Sequence, residues 1–250
     1  MPVWQALYEE FKSQNFIIIA VALDTGGEAA VRRWIRPAEP IEVPARFQDI
    51  MGWTSEQYRN SAVPTYPCLI DRQHVVAELY DMRNVPMSVW IDEAGRIVRP
   101  AEPTGATDGF RFRDRATSAM PAEFVEAGKV ERKRYVDALR DWVTSGSSSV
   151  YALSEDEARA RVAGPSETDV LAAAHFRLGQ YLFDRGDVDR ARRSFAEASR
   201  LVPERWHYFR QALELEGTGN GSGPAFAAAI AELGDRPYYA PVRLEKSAGS

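Results

Sequence analysis

Apolar positions in the first part of the chain are spaced first as in a helix and then as in a strand. Between residues 2 and 14 they recur every three or four positions, which predicts an amphipathic helix. Residues 16–23 are apolar on both faces and rich in β-branched side chains, which favours a buried parallel strand. A helix over residues 28–35 and a short strand over residues 66–70 complete a predicted right-handed βαβ unit.

A second pair of β-prone runs lies at residues 84–98. Val85–Pro86 stands at the start of the first run. Proline has no backbone N–H, and the first position of a strand is one of the few places where this is tolerated. A polar turn with Gly95 separates the runs, since glycine accepts the positive φ of a tight hairpin turn. The pattern predicts an antiparallel hairpin, and the Val85–Pro86 bond is a candidate for a cis peptide.

Less regular segments surround these elements. Residues 36–65 are rich in proline and are interpreted as an insertion packed over the sheet, with a short helix near residues 55–60. Residues 99–127 are predicted to be irregular. Within them, aromatic and basic residues alternate at positions 110–115, but neighbouring acidic residues favour a solvated loop or edge strand over a nucleic-acid surface.

Helical spacing dominates the second half of the chain. A helix over residues 130–143 is predicted to cover one face of the sheet, and the serines and glycine of residues 144–149 predict a linker. Further helices are predicted over residues 168–185, 188–200 and 206–215.

The second-half helices resemble a tetratricopeptide repeat. The matching positions are Leu178, Gly179, Ala191, Phe195, Ala198 and Pro203, with Leu182 in place of the usual tyrosine. Small residues at three of these positions would let the two helices approach closely. Because a single repeat is rarely stable alone, the pair is expected to lean on the first region, on residues 151–162 or on another chain.

Composition narrows the class of protein. The chain has 250 residues, of which 45% are hydrophobic and 27% charged, with a net charge of −5. This is ordinary globular composition, and the acidic balance argues against nucleic acid as a partner. The sequence contains no apolar run long enough to predict a membrane span. No signal-peptide pattern opens the chain, so the sequence as it stands points to the cytoplasm, whereas an upstream segment would allow an extracytoplasmic location.

The proline-opened hairpin carries a second resemblance. Residues 84–98 resemble the cis-proline hairpin of thioredoxin-like proteins of the TlpA/ResA and redoxin (AhpC/TSA) type. Residues 1–14, 16–24 and 66–71 resemble preceding elements of that family, in the same order. The resemblance implies an α/β thioredoxin-like domain over residues 1–145, including the insertion.

Together the two resemblances predict a thioredoxin-like fold that is incomplete at its N-terminus, followed by an all-α region. The tetratricopeptide-like helices are assigned to residues 150–216, and residues 217–250 to a flexible linker, a short helix near 224–233 and a loosely held tail.

The resemblance also implies where redox chemistry would lie. In the family, the residues matched by Val85 and Pro86 contact the backbone of the bound thiol partner beside a Cys-x-x-Cys motif. That motif would precede the helix at residues 1–14, where this chain begins. We therefore expect a catalytic cysteine or selenocysteine upstream of Met1. A selenocysteine codon read as a stop would place the start at the next methionine.

The family strand that leads into this motif would lie between residues 16–23 and residues 87–91. Without it, two hydrophobic strand edges would be left open. Three outcomes remain: the two strands close on each other, another chain supplies the strand and gives self-association through the incomplete sheet, or the start lies upstream.

Few residues inside the chain could carry chemistry. Cys68 is the only cysteine, and its apolar neighbours in a predicted strand favour a structural thiol over a reactive one. His74, His175 and His207 share no metal-ligand spacing, so neither a metal nor another cofactor is predicted. Asp24, Asp71 and Asp92 follow apolar runs and are interpreted as turn formers. The sequence therefore predicts no catalytic residue within the chain itself.

Two functional hypotheses follow. The first is a thiol–disulfide or peroxide oxidoreductase that acts on a protein thiol or disulfide through a mixed intermediate and depends on an upstream nucleophile, so that this chain alone would be inactive. The second is a redox-silent adaptor whose tetratricopeptide helices bind a partner peptide in their groove.

Overall fold

The computed structural model describes residues 2–35, 54–114, 117, 119–162, 164–217 and 219–244. The chain forms two units, Met1–His74 and Val75–Ser250, which are described separately. Most of the predicted insertion, residues 36–53, lies outside the described residues. No helix in the described ranges is both long and apolar enough to cross a bilayer.

The first unit contains three helices and two short strands among its described residues. In chain order they are α1 (Pro2–Phe11), β1 (Ala20–Ala22), α2 (Glu28–Ile35), α3 (Ser55–Ala62) and β2 (Cys68–Ile70). β1 and β2 pair in parallel, with Ala20 opposite Cys68. Thr54 and Gln57 form a capping box that starts α3. The predicted helices and the parallel strand pair are confirmed.

The predicted burial of the first strand is wrong. Ile17 and Ile19, just before β1, are 58% and 55% exposed. Among the described residues β1 pairs with β2 alone, and α2 packs against this pair. Two short strands and one helix leave apolar side chains in solvent, although the sequence pattern is that of an inner strand of a larger sheet.

The second unit begins with a hairpin between two helices. Its first elements are α4 (Val75–Leu79), β3 (Met87–Ile91), β4 (Ile97–Pro103), a 3₁₀ turn (Asp108–Phe112) and α5 (Ala122–Ser145). β3 and β4 are antiparallel, and the backbone N–H of Asp92 donates to the carbonyl of Arg96 across the turn (2.9 Å). Gly95 has a φ of +77°, and the Val85–Pro86 bond is cis. The predicted hairpin is confirmed.

α5 packs on the hairpin through aromatic residues. The indole of Trp90 donates to the Tyr135 hydroxyl (2.9 Å) and stacks on Trp142 with ring centroids 5.1 Å apart. The prediction that residues 99–127 are irregular is wrong at both ends, because β4 continues to Pro103 and α5 starts at Ala122. A strand or helix of polar composition can still form when one of its sides packs against aromatic residues, as α5 does here.

The predicted linker at residues 144–149 is a tight turn. A 3₁₀ turn (Gly146–Ser148) follows α5 directly, and Ser149 is buried with its hydroxyl 2.5 Å from a carboxylate oxygen of Asp141. Beyond the turn, the N–H of Leu153 donates to the carbonyl of Val98 in β4 (3.0 Å). The small polar residues serve turn geometry here, so the linker prediction is wrong.

The predicted repeat helices are confirmed. After α6 (Glu155–Arg161) come α7 (Glu167–Asp184), α8 (Val188–Leu201) and α9 (Trp206–Glu216). The turn between α7 and α8 contains Gly186, with a φ of +79°. Their shared core consists of Ala172, Phe176, Leu182, Ala191, Phe195, Ala198, Val202 and Tyr208.

Gly179 allows α7 and α8 to approach closely, and its replacement tests that contact. A Cβ atom at this position would lie 2.5 Å from the Phe195 ring. We expect Gly179→Ala to lower the free energy of unfolding by about 1–3 kcal/mol, because the added methyl group overpacks the core. Gly128→Ala in α5 is the control, since its new Cβ would meet only an ordinary contact at 3.5 Å. The control should be neutral or stabilising by up to about 1 kcal/mol, and equal losses in chemical denaturation would contradict this account.

The C-terminal segment is bound to the second unit, and the predictions of a flexible linker and a loose tail are wrong for the described residues. A 3₁₀ turn (Asn220–Ser222) leads into α10 (Pro224–Ala231), which confirms the predicted short helix. Arg111 donates to the carbonyls of Gly234 (2.7 Å) and Arg236 (2.9 Å). Leu244 is buried. Long-range hydrogen bonds that satisfy its backbone hold this segment, and local composition does not encode them.

The described start of the aromatic and basic segment, residues 110–112, has a packing role, and residue 115 lies outside the described residues. Phe110 lies in the 3₁₀ turn, with its ring 5.0 Å from Tyr238 and 6.4 Å from Phe226. The solvated loop or edge strand predicted there is therefore wrong for residues 110–112.

Candidate functional site

The cis-proline loop is the first candidate. The N–H of Val85 donates to the side-chain oxygen of Asn84 (2.8 Å), and the carbonyl of Val85 accepts from the Tyr239 hydroxyl (2.9 Å). Pro86 is exposed. The chain itself thus occupies both backbone groups that a partner strand would use at Val85.

The C-terminal segment lies beside this loop through further polar contacts. The side chain of Asn84 donates to the Tyr238 carbonyl (3.1 Å), and the carboxylate of Asp108 accepts the N–H groups of Tyr238 and Tyr239 (2.7 and 2.9 Å). Nothing in sequence spacing relates residue 239 to residue 85. Sequence reasoning therefore missed Tyr239.

Cys68 is the second candidate and lies in β2 of the first unit. Its thiol is half-buried and donates to the carbonyl of Tyr66 (3.6 Å). Burial raises the pKa of the Cys68 thiol above its ordinary value. A raised pKa disfavours the thiolate, which is the reactive form.

The histidines do not form a shared site. His74 and His207 are buried, and His74 Nε2 lies 3.4 Å from the Thr25 hydroxyl. His207 packs against the rings of Phe176 and Tyr208. Within the described ranges, no three His, Cys, Asp or Glu side chains come together as metal ligands.

The inner face of the repeat, shared by α7 and α9, carries a charge network. Asp169 near the start of α7 lies 3.1 Å from Arg205 and 3.5 Å from Arg83. Arg205 also contacts Asp81 at 2.5 Å. Asp81 and Arg83 belong to the loop between α4 and β3, so the network binds this loop to the repeat.

The network has a defined pH dependence. Burial opposes ionisation of Asp169, but hydrogen bonds from Ser166 and Arg205 and the charge of Arg83 outweigh it and lower the pKa of Asp169 to about 2. A carboxyl group with a lowered folded-state pKa stabilises the fold above its unfolded pKa of about 4. That contribution is lost as the pH falls towards 2.

The expected peptide groove is partly covered by the chain itself. Besides the charge network, Arg177 of α7 forms an ion pair with Glu78 of α4. Gln180 of α7 and Gln211 of α9 are buried. A partner on this face would have to displace residues 78–83 of the same chain.

The opposite side of α7 is exposed and apolar. We call it the α7 outer stripe; its members are Val170, Leu171, Ala174, Leu178 and Tyr181. Its four large side chains are exposed at 60% (Val170), 49% (Leu171), 44% (Leu178) and 54% (Tyr181). At 100° per residue the stripe is about 100° wide, the width typical of a face packed on a partner. Sequence periodicity missed it, because α7 is apolar on both sides and either face suits a core.

Comparison with known proteins supports the repeat. A tetratricopeptide-repeat family model matches residues 172–205, which run from α7 through α8 to the start of α9. Neither curated proteins nor solved structures gave a match to this chain. Repeats of this type build protein-binding surfaces, so the match indicates protein partners for the helical region.

Proposed function

We propose that this protein is a redox-silent adaptor whose tetratricopeptide helices bind protein partners through the α7 outer stripe. The exposed stripe is the observation that carries the proposal. α7 is apolar on two opposite sides, and only one of these is buried, since Leu171, Leu178 and Tyr181 remain in solvent. Contiguous exposed apolar surface of this kind marks interaction sites, and a single repeat is incomplete without a neighbour.

The inner face is the weaker docking surface. A peptide bound between α7 and α9 would have to break the buried contact between Asp169 and Arg205. Removing one partner of such a pair leaves a buried charge without compensation, at a cost of several kcal/mol. A partner that binds the α7 outer stripe displaces no other described segment of the chain, so binding there is favoured.

We further propose that residues 1–145 form a thioredoxin-like platform that presents the helices of residues 150–216. The order of parallel strand pair, proline-opened hairpin and following helix supports this assignment. The occupied backbone groups of Val85 support the redox-silent hypothesis over the oxidoreductase hypothesis, because a thiol partner would need those groups. The raised pKa of Cys68 argues against a reactive thiol at that position. On this proposal Val85 and Pro86 only lead into β3, and Cys68 packs as a small apolar residue.

Substitution in the stripe tests the adaptor. In-cell cross-linking followed by isolation should recover partner proteins with the unmodified protein, and Leu178→Glu should reduce their yield at least tenfold, because it places a charge in a desolvated contact. Val130→Glu is the matched control, since Val130 is exposed on α5 outside the stripe. Both variants should keep the parent circular dichroism spectrum, which shows that the fold is intact. The same yield from all three proteins would refute the proposal.

A further inference from the structure

The α7 outer stripe is complementary to the same stripe of a second copy when the two α7 helices run antiparallel. Two antiparallel α7 helices that cross level with Phe176 place Leu171 opposite Tyr181 and Ala174 opposite Leu178. The same alignment places Glu167 opposite Arg185. Leu171, Leu178 and Tyr181 thus each meet another member of the stripe, and Glu167 and Arg185 meet residues of opposite charge.

The spacing of the stripe suits such a pair. Leu171, Ala174, Leu178 and Tyr181 alternate steps of three and four residues, which is the a/d pattern of a helix seam. The small Ala174 leaves space for Leu178 of the second copy, so the side chains can interdigitate. A parallel pair would instead place Ala174 opposite Ala174 and leave a gap. It would also place Glu167 opposite Glu167 and Arg185 opposite Arg185, so that like charges face each other.

The two end charges are available for the pairing. Glu167 and Arg185 are both exposed, and neither belongs to an ion pair in the part of the chain that the structure describes. The guanidinium of Arg185 lies 4.8 Å from the centre of the Tyr181 ring, which places it beside the stripe. An antiparallel pair would form two equivalent contacts between Glu167 and Arg185.

No like-charge clash opposes the crossing point. Arg177 flanks the stripe near the proposed two-fold axis, and its charge is compensated by Glu78 of the same chain.

From this complementarity we infer that the partner of the α7 outer stripe is a second copy of this chain, in a two-fold symmetric dimer built on antiparallel α7 helices. The inference rests on the proposed function, since it names the partner of the same surface. The isologous contact closes on itself, as is usual for dimers with two-fold symmetry.

Oligomeric state measured by sedimentation velocity over a concentration series tests the inference. The unmodified protein and Val130→Glu should sediment as dimers. Leu178→Glu should be monomeric, with a dissociation constant raised at least about a hundredfold, because two glutamates would enter the seam. A dimer that survives Leu178→Glu would overturn the inference and place self-association elsewhere, for instance at the predicted incomplete sheet.

A charge swap tests the antiparallel register. Glu167→Arg and Arg185→Glu should each weaken the dimer by roughly tenfold, since each places like charges opposite one another twice. The double variant Glu167→Arg/Arg185→Glu should restore the affinity of the parent, because the pairs re-form with exchanged signs. Additive weakening in the double variant would overturn the register. Circular dichroism melts of all three variants separate dimer loss from damage to the α7 ends.

The two proposals fail in different ways. If the unmodified protein is monomeric at every concentration while Leu178→Glu still loses its cross-linked partners, the homodimer is overturned and the adaptor stands. If Leu178→Glu changes neither sedimentation nor partner yield, both are overturned.

Discussion

Replacing Arg99 with methionine is expected to lower the free energy of unfolding by about 3–5 kcal/mol. Arg99 is completely buried in β4, and its guanidinium forms a bidentate ion pair with Glu102 (2.6 and 2.8 Å). It also donates to the carbonyls of Tyr151 (2.9 Å), Arg243 (2.7 Å) and Leu244 (3.4 Å). Methionine keeps the apolar stem but leaves one carboxylate and three carbonyls without this donor.

The control for Arg99 is an arginine of the same hairpin in a different environment. Arg96 also pairs with a carboxylate, that of Asp92 at 2.8 Å, but its side chain is 66% exposed. Arg96→Met should leave the urea midpoint nearly unchanged, because water replaces the lost contact. Limited proteolysis should cleave the segment around residues 243–244 faster in Arg99→Met alone, because the bonds from Arg99 to its carbonyls are lost. Equal stability losses in the two variants would show that the buried cluster does not hold the C-terminal segment.

Phe176→Ala is expected to destabilise the protein by about 3–5 kcal/mol. Phe176 is completely buried at the centre of the repeat, stacked on Tyr208 of α9 with centroids 4.2 Å apart and 5.5 Å from Phe195 of α8. Its removal opens a cavity where all three helices meet, and a single repeat has no further repeat to absorb the loss. Chemical denaturation followed by tryptophan fluorescence measures the change.

Phe112→Ala is the control for Phe176→Ala, because it removes the same kind of side chain from an exposed position. Phe112 stacks on Phe124 with centroids 4.0 Å apart but is 52% exposed. Its removal should cost about 1 kcal/mol, the contribution of an aromatic pair at the surface. A loss as large as that of Phe176→Ala would mean that the repeat core does not dominate the stability of the second unit.

Features that depend on near neighbours in the chain were predictable. The hairpin follows from Gly95 and the β-prone runs on both sides of it, because turn geometry and strand propensity act over a few residues. The repeat helices follow from the spacing of small and aromatic residues from Leu178 to Pro203. Asp24 and Asp92 accept backbone N–H groups in their own turns, as turn formers should.

Predictions from composition failed where distant residues intervened. Residues 144–149 have the composition of a linker, yet Ser149 is buried against Asp141. The tail from residue 236 has the composition of a loose end, yet arginines more than a hundred positions away donate hydrogen bonds to its carbonyls. Composition indicates how a segment behaves when its backbone and polar groups are bonded only to water. Here distant residues of the same chain supply hydrogen bonds to those groups.

The sequence by itself determined the local elements: the helices, the parallel strand pair, the hairpin and the tetratricopeptide register. Only the tertiary structure decided which surfaces remain open. It placed Tyr239 on Val85, covered the inner face of the repeat with Asp81 and Arg83, and left the α7 outer stripe in solvent. The physical reason is range: propensity, capping and turn chemistry act within a few residues, whereas burial is set by segments that meet across long stretches of chain. Periodicity shows that α7 is apolar on both sides, and the fold decides which side is left for a partner.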